Sequence, residues 1–253
     1  MKISVNCPSY KRPYVETLEY LDFAKVWVCE SEYDNYISQN KGFEKNIIKV
    51  PLGVQGNLCR IRNYILKTEL EKGYDVVVII DDDMKAISYW ENGKDIKLEG
   101  EDFLPFIEKY SIMCNDLGFK FWGINVNQDR GVYREYTPFS TTSYIGGPFQ
   151  VFLKGNECFY DERLPLKEDY DMTIQQMNKY RGALRVNKFH YNVKQSKQSG
   201  GCATIRNYEK EKNQLDILTN KWGSKIVKID KLGKKNSKFI DYNPIIKIPI
   251  KGV

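Results

Sequence analysis

The sequence lacks several patterns that would assign it to a common functional class. Its six cysteines include no CxxC pair, so the usual zinc sites and thioredoxin-like chemistry find no support. The single histidine, His190, excludes any site that needs two histidines. Neither GxGxxG nor GxxxxGK[ST] occurs, which disfavours a dinucleotide-binding domain of the usual kind and a P-loop. No apolar run is long enough to span a bilayer.

The same absences bear on location. No apolar run of signal-peptide length follows Met1 and Lys2. Cys7, Cys29 and Cys59 lie in apolar or element-forming stretches, as expected for buried free thiols in a reducing compartment. We therefore expect a cytoplasmic protein with no membrane partner, in the host cytoplasm if a phage encodes it. The net charge of +6 permits a polyanionic partner without requiring one.

The pattern of apolar residues predicts the architecture. The chain of 253 residues is long enough for one large α/β domain. Strand-like and helix-like segments alternate, which predicts a single domain over residues 1–222, with a mostly parallel central sheet flanked by helices. The predicted strands are 3–7, 25–29, 47–50, 76–80, 121–126, 149–153 and 184–191. The predicted helices are 14–23, 57–72, 103–117, 168–180 and 207–221. Residues 223–253 are interpreted as a basic C-terminal appendage, because seven lysines and one aspartate lie between positions 221 and 238.

The stretch Val76–Asp83 organises the predicted sheet. Five β-branched residues predict a strand buried on both faces, and three carboxylates follow at its carboxyl end, where open α/β sheets bind ligands. Adjacent carboxylates repel one another and suit a hard cation such as Mg²⁺ or Mn²⁺, which can bridge a diphosphate. The alternative is an acidic turn after the strand. The ligand pair is open between Asp81 with Asp83 and Asp82 with Asp83.

Three other groups of residues could carry chemistry. Asn57 opens a helix whose N-terminus is a possible anion site, with Arg60 and Arg62 beside it or simply exposed on the helix. An acidic pair, residues 168–169, either complements the dipole of a helix start or supplies a general base, for which Asp169 is the candidate. His190 ends a strand and is either structural or a third metal ligand.

Taken in chain order, these motifs resemble the glycosyltransferases of the GT-A fold. The resemblance covers residues 1–222 and rests on PSY with a following arginine, an acid after the second strand, GNLCRIRN, VVVIIDDD, GGPF and EDYD. The segment LPLKEDYDMTIQQ, followed by a histidine-bearing strand and a Gly-Gly loop, is similar to the TET/JBP-associated glycosyltransferases of bacteriophages. That family is implicated in decorating hydroxymethylated pyrimidines of phage DNA.

The resemblance implies a role for each matching residue. The donor, expected to be a UDP-sugar, would be contacted by Pro8, Ser9, Tyr10, Arg12, Glu30, Asn57, Arg60, Arg62, Asp81, Asp82, Gly146 and Gly147. The implied ligands of Mn²⁺ or Mg²⁺ are Asp83, Asp81 and His190. The acidic pair Glu168 and Asp169 matches the pair that supplies the base.

The implied reaction is metal-dependent transfer of a sugar from a nucleoside diphosphate sugar to a hydroxyl. The expected acceptor is the 5-hydroxymethyl group of a pyrimidine in DNA, such as 5-hydroxymethylcytosine. The lysine-rich C-terminal segment suits phosphate contacts, and the aromatic-rich segment 121–144 could stack a flipped base. Candidate acceptor residues are Trp122, Lys194 and Lys197. The alternatives are the same chemistry on a polysaccharide or protein, and a nucleotide-binding module without turnover.

Overall fold

The strand predicted from five β-branched residues is the centre of the structure. A computed structural model describes residues 1–126, 133, 135–193, 206–229 and 242–248. In it the strand β4, Val76–Ile80, is fully buried, with 0% exposure at each of its five residues. Such burial on both faces is typical of a sheet covered by helices on each side.

The described strands form one large sheet and one small one. The order in the large sheet is β3-β2-β1-β4-β9-β7-β10-β5-β6, with β8 beside β10, and β11 pairs with β12 in the small sheet. The strands are β1 Ile3–Pro8, β2 Lys25–Cys29, β3 Ile47–Val50, β4, β5 Met84–Glu91, β6 Lys94–Lys97, β7 Phe121–Asn125, β8 Phe139–Ser140, β9 Phe149–Leu153, β10 Leu184–Val193, β11 Val227–Ile229 and β12 Pro244–Ile246.

The sheet is mostly parallel. Strands β3, β2, β1 and β4 run in the same direction, and β9 lies antiparallel between β4 and β7. Strand β10 is parallel to β7 and antiparallel to β5. This arrangement confirms the predicted α/β domain. Because β1, β2 and β4 are parallel neighbours, their carboxyl ends meet at one edge of the sheet.

Helices cover both faces of the sheet. They are α1 Thr17–Tyr20, α2 Tyr33–Gln39, α3 Leu58–Glu71, α4 Phe103–Asp116, α5 Glu168–Tyr180 and α6 Tyr208–Trp222. Residues of α1, α2 and α4 pack with Val76, Val78 and Ile80 in one core cluster. Residues of α3 and α5 pack with Val77 and Ile79 in another. The side-chain period of two along β4 therefore divides the core into two layers.

Several segments differ from the sequence prediction. Helix α2 and strands β8, β11 and β12 lie where no element was predicted. The helix predicted over 14–23 is the single turn α1, because tertiary hydrogen bonds use its backbone: Val15 N donates to Asn40 and Thr17 N donates to the carbonyl of Asp82. The hairpin β5–β6 was not predicted. Its turn, Asn92-Gly93, has φ of 50° and 78°, and an Asn-Gly pair is a strong hairpin signal that could have identified it.

The described part of the C-terminal segment packs against the domain. Val227 joins Leu164, Ile174, Leu215 and Leu218 in a third apolar cluster. The division between residues 222 and 223 stays a prediction, since contacts cross it. Residues 230–241 and 249–253, which include much of the lysine-rich segment, lie outside the described part of the chain.

Two expectations from composition can be compared with the described residues. The cysteines at positions 7, 29 and 59 are free and buried, as predicted, and so are Cys114 and Cys158. Across the described ranges, none of the helices combines the length and the apolar character needed to cross a bilayer.

Trp122 is a core residue, so the prediction that it contacts an acceptor is wrong. Its side chain on β7 is 0% exposed, and its ring packs against Phe106, Tyr110 and Phe149 with centroid distances of 5.6–5.8 Å. The indole Nε1 donates a 3.0 Å hydrogen bond to Ser111 Oγ. No incoming base can reach a ring that the sheet and α4 enclose.

The Trp122–Ser111 hydrogen bond gives a stability prediction. Ser111→Ala should lower the free energy of unfolding by about 1–3 kcal/mol, because it leaves a buried indole N–H without an acceptor. In a Trp122→Phe background the same substitution should lower it by less, since no donor remains. Urea denaturation of the two single variants and the double variant measures the difference. Strictly additive effects would contradict this account.

Candidate active site

The site lies at the edge where the parallel strands end. Asp81, Asp82 and Asp83 directly follow β4, and Asp81 N donates a 3.1 Å hydrogen bond to the carbonyl of Pro148. That bond holds the loop before β9 against the end of β4. The helix α5 begins nearby at Glu168. Three predicted motifs, DDD, GGPF and EDYD, therefore converge in space.

Asp82 points into the protein and is fixed there. It is 5% exposed, it accepts a hydrogen bond from Ser9 Oγ, and it forms an ion pair with Arg12 Nη1. Burial raises its pKa to about 7, and the neighbouring carboxylates add to the shift. Asp82 thus ties the end of β4 to the loop after β1.

Asp81 and Asp83 are more accessible than Asp82. Their side chains are 34% and 19% exposed, against 7% for Asp82. Arg12 Nη1 lies 3.1 Å from Asp83 Oδ2. Burial raises the pKa of Asp83 to about 6, and repulsion from Asp81 contributes next. These two acids, and not Asp82, are placed to meet a ligand.

Arg62 joins the two halves of the site. Its guanidinium is 1% exposed and lies 3.0 Å from Asp81 Oδ1 and 3.2 Å from Glu168 Oε1. Nη2 also donates a 3.0 Å hydrogen bond to the carbonyl of Gly147. The position of Arg62 is consistent with the prediction that it borders this site. The alternative, that Arg62 is simply exposed on the surface of its helix, is excluded.

The acidic pair at the start of α5 has two different environments. Glu168 is buried, and burial followed by repulsion from Asp169 raises its pKa. Asp169 is partly exposed and accepts three hydrogen bonds: from the phenol of Tyr144, from Gly147 N at 3.1 Å and from Tyr170 N at 2.8 Å. These donors fix the orientation of the Asp169 carboxylate.

The two glycines of the GGPF loop allow close approach. A Cβ on Gly147 would lie 3.0 Å from Glu168 Oε1 and 3.2 Å from Arg62 Nη1. A Cβ on Gly146 would lie 2.3 Å from Val126 Cγ1. Gly147 therefore lets the backbone of the loop approach the charged groups, and Gly146 lets it pack against Val126, because neither position carries a side chain.

His190 does not join the acidic residues after β4. Its ring is 2% exposed, its Nε2 lies 3.3 Å from Asp95 Oδ1, and it packs on Trp90 with ring centroids 5.8 Å apart. Burial lowers its pKa, and Asp95 partly opposes that shift. Burial raises the pKa of the phenol of the next residue, Tyr191, and the negative charges of Asp81, Asp169 and Asp83 raise it further, so Tyr191 lies near those acids.

The predicted metal ligands are therefore only partly assembled. Among the described residues, no group of three or more His, Cys, Asp or Glu side chains could hold a metal ion. Asp81 and Asp83 fit a divalent cation, because Mg²⁺ commonly uses one or two carboxylates and takes its other ligands from water and phosphate oxygens. His190 does not fit, since it pairs with Asp95 beside the β5–β6 hairpin.

The remaining predicted donor residues lie around the same edge but have mixed roles. Glu30 is exposed directly after β2, while Tyr10 follows Pro8 and Ser9 at the end of β1. Asn57 caps α3 by accepting a 3.2 Å hydrogen bond from Arg60 N. The Arg60 side chain binds Glu162 and the carbonyl of Gly53.

The acceptor residues predicted from the loop after β10 cannot be placed. Lys194 and Lys197 lie outside the described residues. In the lysine-rich segment, Lys221 forms ion pairs of 2.9 Å with Asp161 and Asp171, so its ammonium group is already paired within the protein. The acceptor side of the site thus has no described basic residue from the predicted set.

Sequence reasoning missed several residues that build the site. Tyr36 OH lies 2.8 Å from Ser9 Oγ and accepts a 3.2 Å hydrogen bond from Arg12 N. Thr17 Oγ1 donates to the carbonyl of Asp81 and accepts from Met84 N. Tyr144 belongs to the aromatic-rich segment 121–144, and its phenol donates to Asp169. Nothing in the local pattern distinguishes these residues, because their partners lie 24 to 67 positions away along the chain and only the fold brings them together.

Comparisons with known proteins give structural likeness at low identity. Residues 1–349 of S. aureus TarS align with 87% of this chain at a TM-score of 0.47 and 15% identity, and the alignment covers 66% of that structure. A protein from Desulfovibrio desulfuricans G20 assigned as a nucleotide-diphospho-sugar transferase aligns with 74% of this chain and 80% of its own, at 0.43 and 13%. A197 from STIV aligns with 78% of this chain and 87% of its own, at 0.42 and 13%.

No family profile matches the chain, and no curated protein matches it. The chain spans less than two thirds of the TarS structure. The fold class consequently rests on the strand order described above, and the site rests on its own contacts.

The buried carboxylate of Asp82 gives a pH prediction. Its pKa of about 7 exceeds the usual 3.8, so between these values the folded protein binds more protons than the unfolded chain. Stability should therefore fall as the pH rises from 5 to 8. Asp82→Asn should reduce this dependence, as measured by urea denaturation of chelator-treated protein at both pH values. The exposed Asp216→Asn is the control, and equal slopes for Asp82→Asn and the unsubstituted protein would refute the assignment.

Proposed function

We propose that the protein is a metal-dependent glycosyltransferase that uses a nucleoside diphosphate sugar, with a UDP-sugar as the expected donor. The observation that carries the proposal is the bridge made by Arg62. One buried guanidinium contacts Asp81 of the DxD motif, the Gly147 carbonyl and Glu168 of the acidic pair. The acids expected on the donor side and the acid pair expected on the acceptor side thus form one connected cluster.

The charge balance of the site supports a cation. Five carboxyl groups, at positions 81–83 and 168–169, face only two described guanidinium groups that contact them, Arg12 and Arg62. Burial and mutual repulsion raise the pKa values of Asp82, Asp83 and Glu168, so the two arginines do not fully compensate the acids. A divalent cation bound by Asp81 and Asp83 would offset the surplus charge and neutralise the negative charge that develops on a departing diphosphate. The more exposed positions of these two acids favour the Asp81/Asp83 register over Asp82/Asp83.

The donor would lie along the ends of β1 and β2. Ser9 and Arg12 are fixed by Asp82 there, and Gln55 Nε2 donates 3.1 Å hydrogen bonds to the carbonyls of Ser9 and Trp27. These contacts order the loop after β1 before any ligand binds. A preformed loop lowers the entropy lost when a nucleotide is bound.

Asp169 is the proposed general base. It is more exposed than Glu168, and its carboxylate is oriented by three donors, so an acceptor hydroxyl can approach it without rearrangement. Asp169 would take the proton from that hydroxyl as its oxygen attacks the sugar. Glu168 is enclosed and instead holds Arg62 in place.

The proposed acceptor is the 5-hydroxymethyl group of a modified pyrimidine in DNA. The support is the resemblance in the EDYD region and the basic C-terminal segment, of which Lys225 and Lys228 are exposed in the described part. Burial of Trp122 removes one of the features that favoured it. A polysaccharide or protein hydroxyl is the alternative acceptor, and a nucleotide-binding module without turnover is the alternative class.

The three adjacent aspartates should differ in cation-dependent nucleotide binding. Asp81→Asn and Asp83→Asn should each weaken Mn²⁺-dependent UDP binding at least tenfold, because each removes a proposed ligand. Asp82→Asn can weaken UDP binding by loosening the loop after β1, but the gain on adding Mn²⁺ should persist, since Asp82 is occupied by Ser9 and Arg12 and is not a proposed ligand. Calorimetric titration with UDP, with and without Mn²⁺, measures this. If Asp82→Asn and Asp83→Asn lost the Mn²⁺-dependent part of the binding while Asp81→Asn kept it, the register would instead be Asp82 with Asp83.

The proposed base should affect turnover and spare the donor. Asp169→Asn should lower kcat by about 10²- to 10⁴-fold, the usual contribution of a positioned acid–base group, while donor affinity stays nearly unchanged. The measurement is steady-state kinetics together with UDP binding, and Asp216→Asn on the surface of α6 is the matched control. Full activity in Asp169→Asn would eliminate it as the base.

The reaction and its acceptor can be tested in one experiment. The protein is incubated with Mn²⁺, a panel of nucleotide sugars and one of three acceptors: hydroxymethylated DNA, an unmodified DNA control or a polysaccharide. Mass spectrometry should show a hexose mass added only to the hydroxymethylated DNA. Addition to the polysaccharide would favour the alternative acceptor. No transfer and no donor hydrolysis would favour the non-catalytic module.

A further inference from the structure

Arg185 is a partly buried cation whose described contacts are all neutral. In the described part of the chain it makes two hydrogen bonds, from Nε to Asn187 Oδ1 at 2.8 Å and from Nη1 to the carbonyl of Tyr144 at 3.3 Å. No described carboxylate forms an ion pair with it. Burial alone lowers the pKa of its guanidinium, with no acid contributing an opposite shift. A partly desolvated charge without a counter-ion is stabilised when a group of opposite charge binds.

The surroundings of Arg185 offer further hydrogen-bond donors. Ser140 on β8 is its direct partner across the antiparallel pair, so the two side chains lie on the same face of the sheet. Ser140 Oγ lies 2.6 Å from Ser143 Oγ. A guanidinium with neighbouring hydroxyls is a typical set for binding a phosphate, because the planar fork matches two oxygens and the hydroxyls can bind a third.

The position of Arg185 relates this cluster to the proposed base. Leu184 and Val186 belong to the core layer that contains α4, so Arg185 points to the opposite face, where α5 lies. Tyr144 connects the two: its carbonyl accepts from Arg185, and its phenol donates to Asp169. The Arg185 cluster is thus on the Asp169 side of the site, apart from Asp83, which would face the donor diphosphate.

We propose that Arg185, with Ser140 and Ser143, binds a phosphodiester group of the acceptor and so positions the neighbouring hydroxyl at Asp169. The role of this site in positioning an acceptor rests on the proposed function, whereas the binding of a phosphodiester group by Arg185 does not. The proposal assigns the acceptor to polymers that carry phosphodiester links, which uncharged polysaccharides and most proteins lack.

A binding experiment without donor or turnover tests the site. The probe is a fluorescently labelled single-stranded oligonucleotide, and a labelled glycerol phosphate oligomer is the second probe. Fluorescence anisotropy gives the dissociation constant of each over a range of salt concentrations. Arg185→Gln should weaken binding of at least one probe about tenfold or more, in line with the loss of a charge-assisted hydrogen bond. The slope of log K against log[salt] should fall in magnitude by about 0.7 for the single strand, because one phosphate contact is lost.

Matched variants separate this role from a loss of folding or of bulk charge. Arg181→Gln removes the same charge from an exposed position at the end of α5, and it should change the dissociation constant by less than about twofold. Ser140→Asp places a carboxylate beside an intact Arg185 and should abolish the same binding, whereas the uncharged Ser140→Asn, which removes the hydroxyl but keeps a hydrogen-bond donor, should weaken it only in part. Each variant should retain Mn²⁺-dependent UDP binding, which shows that the donor half is folded.

The outcomes distinguish the two proposals. If Arg185→Gln and Ser140→Asp lose oligonucleotide binding, the site binds a phosphate of a nucleic acid. If they lose binding of the glycerol phosphate oligomer only, the site binds a phosphodiester of another polymer. If Arg185→Gln binds both probes as the unsubstituted protein does, or if Arg181→Gln weakens binding equally, the phosphate site is overturned. Failure of glycosyl transfer with intact Arg185-dependent binding would reject only the proposed function.

Discussion

The buried guanidinium of Arg62 is the interaction on which the arrangement of the site depends. It is 1% exposed and is held between Asp81 and Glu168, with the Gly147 carbonyl as a further acceptor. Removing one partner of such a buried pair leaves an uncompensated charge, which typically destabilises a protein by about 3–5 kcal/mol. The end of β4, the loop before β9 and the start of α5 are therefore fixed relative to one another by one side chain from α3.

A second buried ion pair fixes the other side of α5. Lys167, immediately before the helix, is 1% exposed and pairs with Glu211 of α6, which is 2% exposed. Gln214 of α6 accepts a 2.6 Å hydrogen bond from Leu166 N. The acidic pair 168–169 thus begins a helix that is held from both sides, and Asp169 can keep one orientation although its neighbours carry like charge. Rigid support of this kind is what positions a base within reach of a hydroxyl.

Local pattern predicted much of the architecture and part of the site. The uninterrupted β-branched run of β4 cannot be accommodated in a solvated strand, so its burial and the position of the aspartates after it follow from composition. The Asn-Gly turn at 92–93 is an equally local signal for the β5–β6 hairpin. The prediction for Trp122 was wrong because an aromatic residue on a strand has the same sequence signature whether it faces the core or a ligand.

The sequence by itself predicted seven of the strands and the four longer helices, because hydrophobic periodicity is encoded locally. The motifs DDD, GGPF and EDYD were related to one another by the resemblance in their chain order. The tertiary structure alone decided which side chains meet. Side chains alternate along a strand, so a one-residue change of face exchanges His190 for Tyr191 beside the carboxylates. Arg62 and Arg60 cannot be distinguished in the sequence. In the structure Arg62 is enclosed between two acids, whereas Arg60 lies at the surface. The packing of α3 against β4 and α5 decides which residues of the helix are enclosed.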